Sequence, residues 1–219
     1  MKRYKPELVL VAVLLIAFVA VWRWQAPASP LQAAEIEGYL QTIDANRAIP
    51  QQLRRPFVER MRAWGQADDG KPVYMLNLMR FHQTVQPWPG AEVIADTPRQ
   101  ANEHYESAVF DMAASMGLSL TVGSEVQATG QGSSALIDAD GAAPWDRVLI
   151  VRYPSRRTFF QLVSNPQYMK VMPYKFAALD VTLVPTDGAT ITPDLRLLAG
   201  GAALIILLGF GWLRAARRI

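Results

Sequence analysis

His82 and His104 are the only histidines in 219 residues, and the chain has no cysteine. Disulfides, thiolate metal ligands, thiol nucleophiles and thiol redox chemistry are excluded together. A metal site could take only the unusual form of one His with carboxylates, so none is expected. There is no phosphate-cradling glycine loop and no nucleophile elbow. Few residues remain that could do chemistry. Asn77 sets an amide in the middle of an apolar run, which is costly unless its hydrogen bonds are met. It either holds a ligand carbonyl or a water in a cleft, or bonds a neighbouring backbone group. His104 is the best available proton acceptor, since imidazole titrates near neutrality. Its alternative is a plain surface position, because no nucleophile or carboxylate is evidently paired with it. Tyr105 lies on an apolar stripe, either as a ligand contact or as core with its hydroxyl satisfied. Arg152 stands inside an apolar strand at the parity of Val148 and Ile150. It either clamps a carboxylate or pairs with an acidic residue across the sheet or a dimer interface. Tyr168, Met169 and Met172 read as core, and His82 as a solvated loop residue. No reaction and no cofactor follow from this set, and whether the chain is an enzyme stays open.

The elements that must position these residues can be read from period and punctuation. Ala33 to Ile43 is a short helix, and Pro56 to Gly65 is another, with Phe57, Met61 and Trp64 on one face. Val73 to Phe81 is a strand, with Val73, Met75, Met79 and Phe81 on one side and Tyr74, Leu76 and Leu78 on the other. A strand apolar on both faces is covered on both. His82 to Asp96 is a loop. Thr97 is then an N-cap, with Pro98 at the first helical position and Gln100 completing a capping box. Ala101, Tyr105, Ala108, Val109 and Met112 give this helix its inward stripe until Gly117 ends it. Leu118 to Thr129 alternates as a strand, and the turn-rich stretch Gly130 to Gly141 could hold its continuation. Trp145 to Tyr153 is a third strand, Ser155 caps a helix that Asn165-Pro166 restarts, and Leu179 to Val184 is the last strand. The expected fold is α+β, a β-α-β-β-α-β ferredoxin-like domain with a four-stranded antiparallel sheet and its helices on one face. The other apolar face then calls for a partner sheet, which a homodimer would supply.

Both ends are hydrophobic. Leu8 to Trp22 is uncharged and apolar, and covers about 22 Å of a hydrocarbon core of about 30 Å. Extension from Tyr4 to Trp24 closes the gap, with Lys5 and Arg23 snorkelling and Trp22 and Trp24 at the interface. The alternative is a signal peptide cleaved after the A-x-A pattern Ala26-Pro27-Ala28. Leu197 to Leu213 is a second apolar run followed by RAARRI; it spans the membrane, or else forms a buried core helix. The pI of about 9.3 comes from these ends. Between Gln25 and Asp194 there are 14 Lys/Arg against 18 Asp/Glu, a net −4, which excludes a nucleic-acid partner as the reading of the basic pI. Lys2, Arg3 and Lys5 before the first run, and Arg214, Arg217 and Arg218 after the second, favour two cytoplasmic termini. The expected location is the inner (plasma) membrane, with the middle domain on the periplasmic, extracytoplasmic side.

Two stretches carry a family resemblance. Met75-Leu76-Asn77-Leu78-Met79-Arg80-Phe81 resembles the "MLNLLRF" opening strand of an uncharacterised branch of the dimeric α+β barrel superfamily. Trp145-Asp146-Arg147-Val148, then Val151-Arg152-Tyr153-Pro154-Ser155-Arg156, Phe159-Phe160 and Asn165-Pro166-Gln167-Tyr168 resemble that branch's "WD…VRYPSR…F…DPxY". The resemblance runs from about Lys71 to Pro185 and implies a ferredoxin-like domain that pairs into a homodimer. The wider superfamily includes monooxygenases, lactone isomerases, haem-degrading enzymes, dye peroxidases and proteins with no known reaction, so fold does not choose among them. Members often carry a His after the DPxY segment; Pro173-Tyr174-Lys175 has none, so no acid/base role carries over to this region. The expected division is an N-terminal transmembrane helix (1–24), linker and short helices (25–70), the dimeric α+β barrel domain (71–187) and a C-terminal transmembrane helix (195–214). Two functions stay open. One is a membrane-anchored domain that takes a small apolar or carboxylate-bearing ligand between sheet and helices, through Asn77, Tyr105 and Arg152. The other is a non-catalytic module for dimerisation or partner contact at the bilayer.

Overall fold

A computed structural model of the chain describes residues 6–91, 97–127, 144–188 and 195–216. The chain forms two units: the ends together (Met1–Ala26 with Gly188–Ile219) and the middle (Pro27–Asp187). The first unit holds α1 (Pro6–Gln25) and α2 (Leu195–Ala216). Leu8–Gln25 and Leu195–Ala216 are long and apolar enough to cross a membrane, and neither stretch is buried by the protein. Outward apolar surface all round is what a bilayer accommodates and water does not. The two helices pack together with the Phe18 ring against Gly200. Near one end of the pair, the Arg196 guanidinium lies 5.0 Å from the centre of the Trp22 ring. The basic residues that set the expected orientation, Lys2, Arg3, Lys5, Arg217 and Arg218, lie outside the described residues, whereas Arg214 is in the last turn of α2.

The middle unit is α+β. In chain order it has α3 (Ala33–Asp44), α4 (Gln51–Gln66), β1 (Val73–Phe81), α5 (Pro98–Ser115), β2 (Ser119–Glu125), β3 (Arg147–Tyr153), α6 (Arg156–Val163), α7 (Pro166–Ala178) and β4 (Leu179–Thr186). The strands form one four-stranded sheet in the order β2-β3-β1-β4, with every pairing antiparallel.

The helix starts follow local chemistry. Thr97 accepts from the Gln100 N–H, and the Gln100 side chain accepts from the Thr97 N–H in return. Ser155 and Asn165 cap α6 and α7 in the same way, through the N–H groups of Thr158 and Gln167. Gly117 closes α5 at φ +75°, where a β-carbon would be strained.

The boundaries that differ most from expectation are those of α4 and β2. α4 begins at Gln51 rather than Pro56, so Pro56 lies inside it. Pro50 supplies the first helical acceptor, to Leu53 and Arg54, and the Arg54 guanidinium holds the Asn46 and Ile49 carbonyls, which secures the early turn. β2 ends at Glu125. The expected extension to Thr129, and the stretch Gly130 to Gly141, run beyond Gln127 into residues outside those described.

Register assigns the two faces of the sheet. Asn77 faces Leu149 on one side and Leu183 on the other, and Met79 faces Val181. This inner face is closed by α5 and α7, which pack on each other over Met79, Ala101, Leu149, Ala178 and Leu179. The outer face carries Leu76, Leu78, Val148, Ile150 and Val184 in register.

A second layer joins α3, α4 and α6. Phe160 is fully buried there, stacked on Trp64 with ring centres 6.1 Å apart. Gly65 makes that approach possible, since a β-carbon would stand 2.9 Å from the Phe160 ring.

The segment that reads as a linker is docked from Ala28 onward. Ala28 N–H donates to the Gly70 carbonyl at 2.8 Å, and Leu31 N–H to the Asp68 carboxylate at 2.8 Å. Arg157 grips Glu35 through two bonds of 2.6 and 3.0 Å and also reaches the Ser29 and Pro30 carbonyls. Arg157 is thus a clamp on the N-terminal segment, while its neighbour Arg156 donates to the Trp64 carbonyl at 2.7 Å. Glu35 is held below the usual carboxylate range by Arg157.

Candidate functional site

Between the inner face of the sheet and its helices lies a cavity of about 420 Å³, within the range of small-molecule sites. Its walls are mostly apolar: Met75 and Met79 from β1, Leu149 and Val151 from β3, Val109 from α5, and Phe159 and Leu162 from α6. Phe110 and Leu120 line it as well, each nearly half exposed, and mark its opening beside β2.

The polar groups are few and converge from three elements. Asn77 enters from the middle of β1, and its amide N–H donates to the Met75 carbonyl at 3.0 Å. Its Oδ1 accepts from Lys175 Nζ at 3.3 Å. Lys175 comes from α7, where it continues the buried stripe of Tyr168 and Met172 at i, i+4 and i+7. Tyr105 comes from α5; the Lys175 ammonium lies 5.3 Å from its ring centre, and its hydroxyl donates to that of Tyr168 at 3.4 Å. Asn102 stands one turn earlier on the same face of α5, buried, with its Oδ1 lacking a hydrogen-bond partner.

Burial governs the electrostatics. Lys175 is 7% exposed, and desolvation brings its pKa down to about 8, against a smaller upward pull from Glu106. Glu106 gives its oxygen to Arg147 at 2.6 Å. Among the described residues no carboxylate stands within ion-pair distance of Lys175. Tyr105, Tyr153 and Tyr168 all have their phenols raised, chiefly by desolvation, so they remain neutral donors. Such a site can offer two further Lys175 N–H bonds and phenolic hydroxyls to a guest. No group of three or more His, Cys, Asp or Glu able to hold a metal occurs among the described residues.

The sequence-derived candidates separate in space. Asn77 and Tyr105 both line the cavity. Arg152 does not: it pairs in register with Tyr74, and strand parity turns it to the opposite face of the sheet, where it is buried. A carboxylate bound between sheet and helices is therefore out of its reach. His104 is exposed and packs edge-on against Tyr174, ring centres 4.7 Å apart, outside the cavity lining. One helical position separates it from Tyr105, and a step of about 100° takes it off the inner face. Lys175 and Asn102 join the site without a chemical signature of their own in the sequence. The available signals were a Lys completing an apolar i, i+4, i+7 stripe and an amide beside the buried Ala101.

No family model matches the chain, and no curated protein matches it. Solved structures do. A crystal structure of a protein of unknown function from Rhodopseudomonas palustris matches at 21% identity and TM-score 0.50, covering 65% of this chain and 97% of that one. A crystal structure of the methylated form of that protein matches at 22% identity and TM-score 0.50, covering 64% of this chain and 93% of that one. At this identity the likeness is one of fold.

Proposed function

We propose that the middle unit is a ligand-binding domain of ferredoxin-like plan, related to the uncharacterised branch of dimeric α+β barrels, and held at the membrane by its two terminal helices. The observation that carries this reading is the apolar cavity of about 420 Å³ with Asn77, Lys175 and Tyr105 converging in it. The sheet order β2-β3-β1-β4, with α5 and the broken pair α6–α7 as crossovers, supports the ferredoxin-like plan. The guest is a small, largely apolar molecule. The basic flanks of the spans favour a domain outside the cytoplasm; a periplasm-active reporter inserted near Gly130 is expected to be active, whereas activity of a cytoplasm-only reporter there would reverse the orientation. The test of binding is native mass spectrometry of the full chain in nanodiscs, with a thermal-shift screen of haem, flavin, quinones, lactones and small acids. A bound species lost on Asn77→Ala supports the reading. Failure of every probe to bind or to shift melting sinks it.

A second reading, dimerisation, is favoured by the outer face, where Val122 and Val184 are each 39% exposed and lie in register with half-buried Ile150 and Leu76. In that reading the partner is a second copy of the chain. Ile150→Lys is expected to convert a dimer to a monomer by mass measurement, and a monomeric wild type would refute it.

A further inference from the structure

We propose that Lys175 anchors the carboxylate of a small apolar monoacid in this cavity, with the hydrocarbon body of the acid lying among Met75, Val109, Leu149 and Leu162. The inference rests on the cavity being a ligand site and specifies the chemistry of the guest.

A buried ammonium is tolerated when an anion and hydrogen bonds replace its water. Lys175 has one hydrogen bond, to Asn77 Oδ1 at 3.3 Å, and the face of the Tyr105 ring. The groups sharing its cavity leave the charge unanswered. From α5, Glu106 is engaged by Arg147, and Asp111 lies at the exposed end of the lining. From β3 and α7, Tyr153 and Tyr168 are neutral phenols, and from β4 only Leu183 contributes.

A neutral guest would leave the ammonium as it is. A dianion would bring a second negative charge that nothing else in the cavity offsets. A single carboxylate matches both the charge and the two remaining N–H bonds of Lys175.

The test is calorimetric titration of the full chain in zwitterionic nanodiscs, corrected against empty discs, with hexanoate, phenylacetate and 3-phenylpropionate and the primary amide of each. The acids are expected to bind about tenfold or more tightly than their amides. Their affinity is expected to fall about tenfold from pH 7 to pH 9 as Lys175 loses its proton, while the amides stay level; the buried phenols lie above this window. Lys175→Met is expected to bind acid and amide alike, and Lys175→Arg to keep the acid preference without the fall. Equal binding of acids and amides by the wild type, or an acid preference surviving in Lys175→Met, overturns the carboxylate anchor and leaves the cavity as a site for neutral guests. No binding of either series overturns the anchor, and if the broader thermal-shift screen is also blank, the ligand site falls with it.

Discussion

Along β1, alternate residues meet two different environments. Met75, Asn77 and Met79 point under α5 and α7 into the cavity wall, and Met79 is 1% exposed. Leu76 and Leu78, one step away, are only partly covered among the described residues. The inner face is apolar but built around a polar nucleus of Asn77, Lys175, Tyr105 and Asn102; the outer face offers Leu76, Leu78, Val148, Ile150 and Val184 in register. The closed face carries the unmet polar demand, and the outer face sets an apolar patch at its centre between buried Arg152 and the Arg80–Asp180 ion pair. A guest is therefore expected on the inside and a partner surface on the outside.

The largest expected contrast is between neighbours on the strand. Met79→Ala removes a side chain packed by Ala101, Leu149 and Leu179 and is expected to cost about 3 kcal/mol. Leu78→Ala on the outer face is expected to cost about 1 kcal/mol in the monomer. Denaturant unfolding followed by tryptophan fluorescence measures both, and equal losses would erase the distinction between the faces.

Within the polar nucleus, two substitutions are expected to act with opposite sign. Asn77→Ala strips Lys175 of its hydrogen-bond acceptor and is expected to destabilise by about 1–3 kcal/mol. Lys175→Met, which removes the buried ammonium and fills its volume, is expected to stabilise the ligand-free protein by about 1–2 kcal/mol at pH 7. The sign of the pH dependence follows from the folded pKa of about 8 lying below the unfolded value. Between these values the unfolded chain holds the proton and the folded chain does not, so the stability linked to Lys175 is full above the unfolded pKa and is lost as pH falls through 8. The advantage of Lys175→Met is thus expected to shrink as pH rises from 7 to 10. An advantage constant with pH would contradict the buried, unpaired ammonium.

The smallest effect is expected for a cation that does have its carboxylate. Arg157→Ala breaks the two bonds to Glu35, both side chains keeping some water contact, and is expected to cost about 1 kcal/mol or less. Limited proteolysis near Ser29 should then speed up, because the clamp on this segment is lost.

Elements whose signals are local were legible in the sequence. The Thr97-Pro98-Gln100 box, the Ser155 and Asn165 caps and the apolar run Val73 to Phe81 each involve neighbours a few residues apart, and all are in place. The start of α4 was not legible, because it depends on Arg54 reaching back to Asn46 and Ile49. The docking of Ala28 to Leu31 was not, because its partners Asp68, Gly70 and Arg157 are remote in sequence.

The candidate site was half legible for the same reason. Asn77 and Tyr105 reach the cavity because strand parity and helical stripe both place them there. Arg152 stands in an otherwise apolar strand but not at the parity of Leu149 and Val151, and that parity was the available warning. His104 was singled out for its chemistry, although one helical step sets it outside. Lys175 escaped notice because a lysine on a core stripe is ordinarily disfavoured, and only the juxtaposition with Asn77, far away in the chain, gives it a role.

The central claim is that the inner face encloses a guest, and filling the space tests it most directly. Val109→Trp fills the cavity from α5 and leaves Asn77, Lys175 and Tyr105 unsubstituted. Wild-type and Val109→Trp chains in nanodiscs would be compared by native mass spectrometry and by melting with each probe of the thermal-shift screen. The expected result is a bound species and a ligand-induced rise in melting temperature for the wild type, and neither for Val109→Trp, with the variant still folded. Identical ligand occupancy in the two proteins would contradict the claim and place any guest elsewhere.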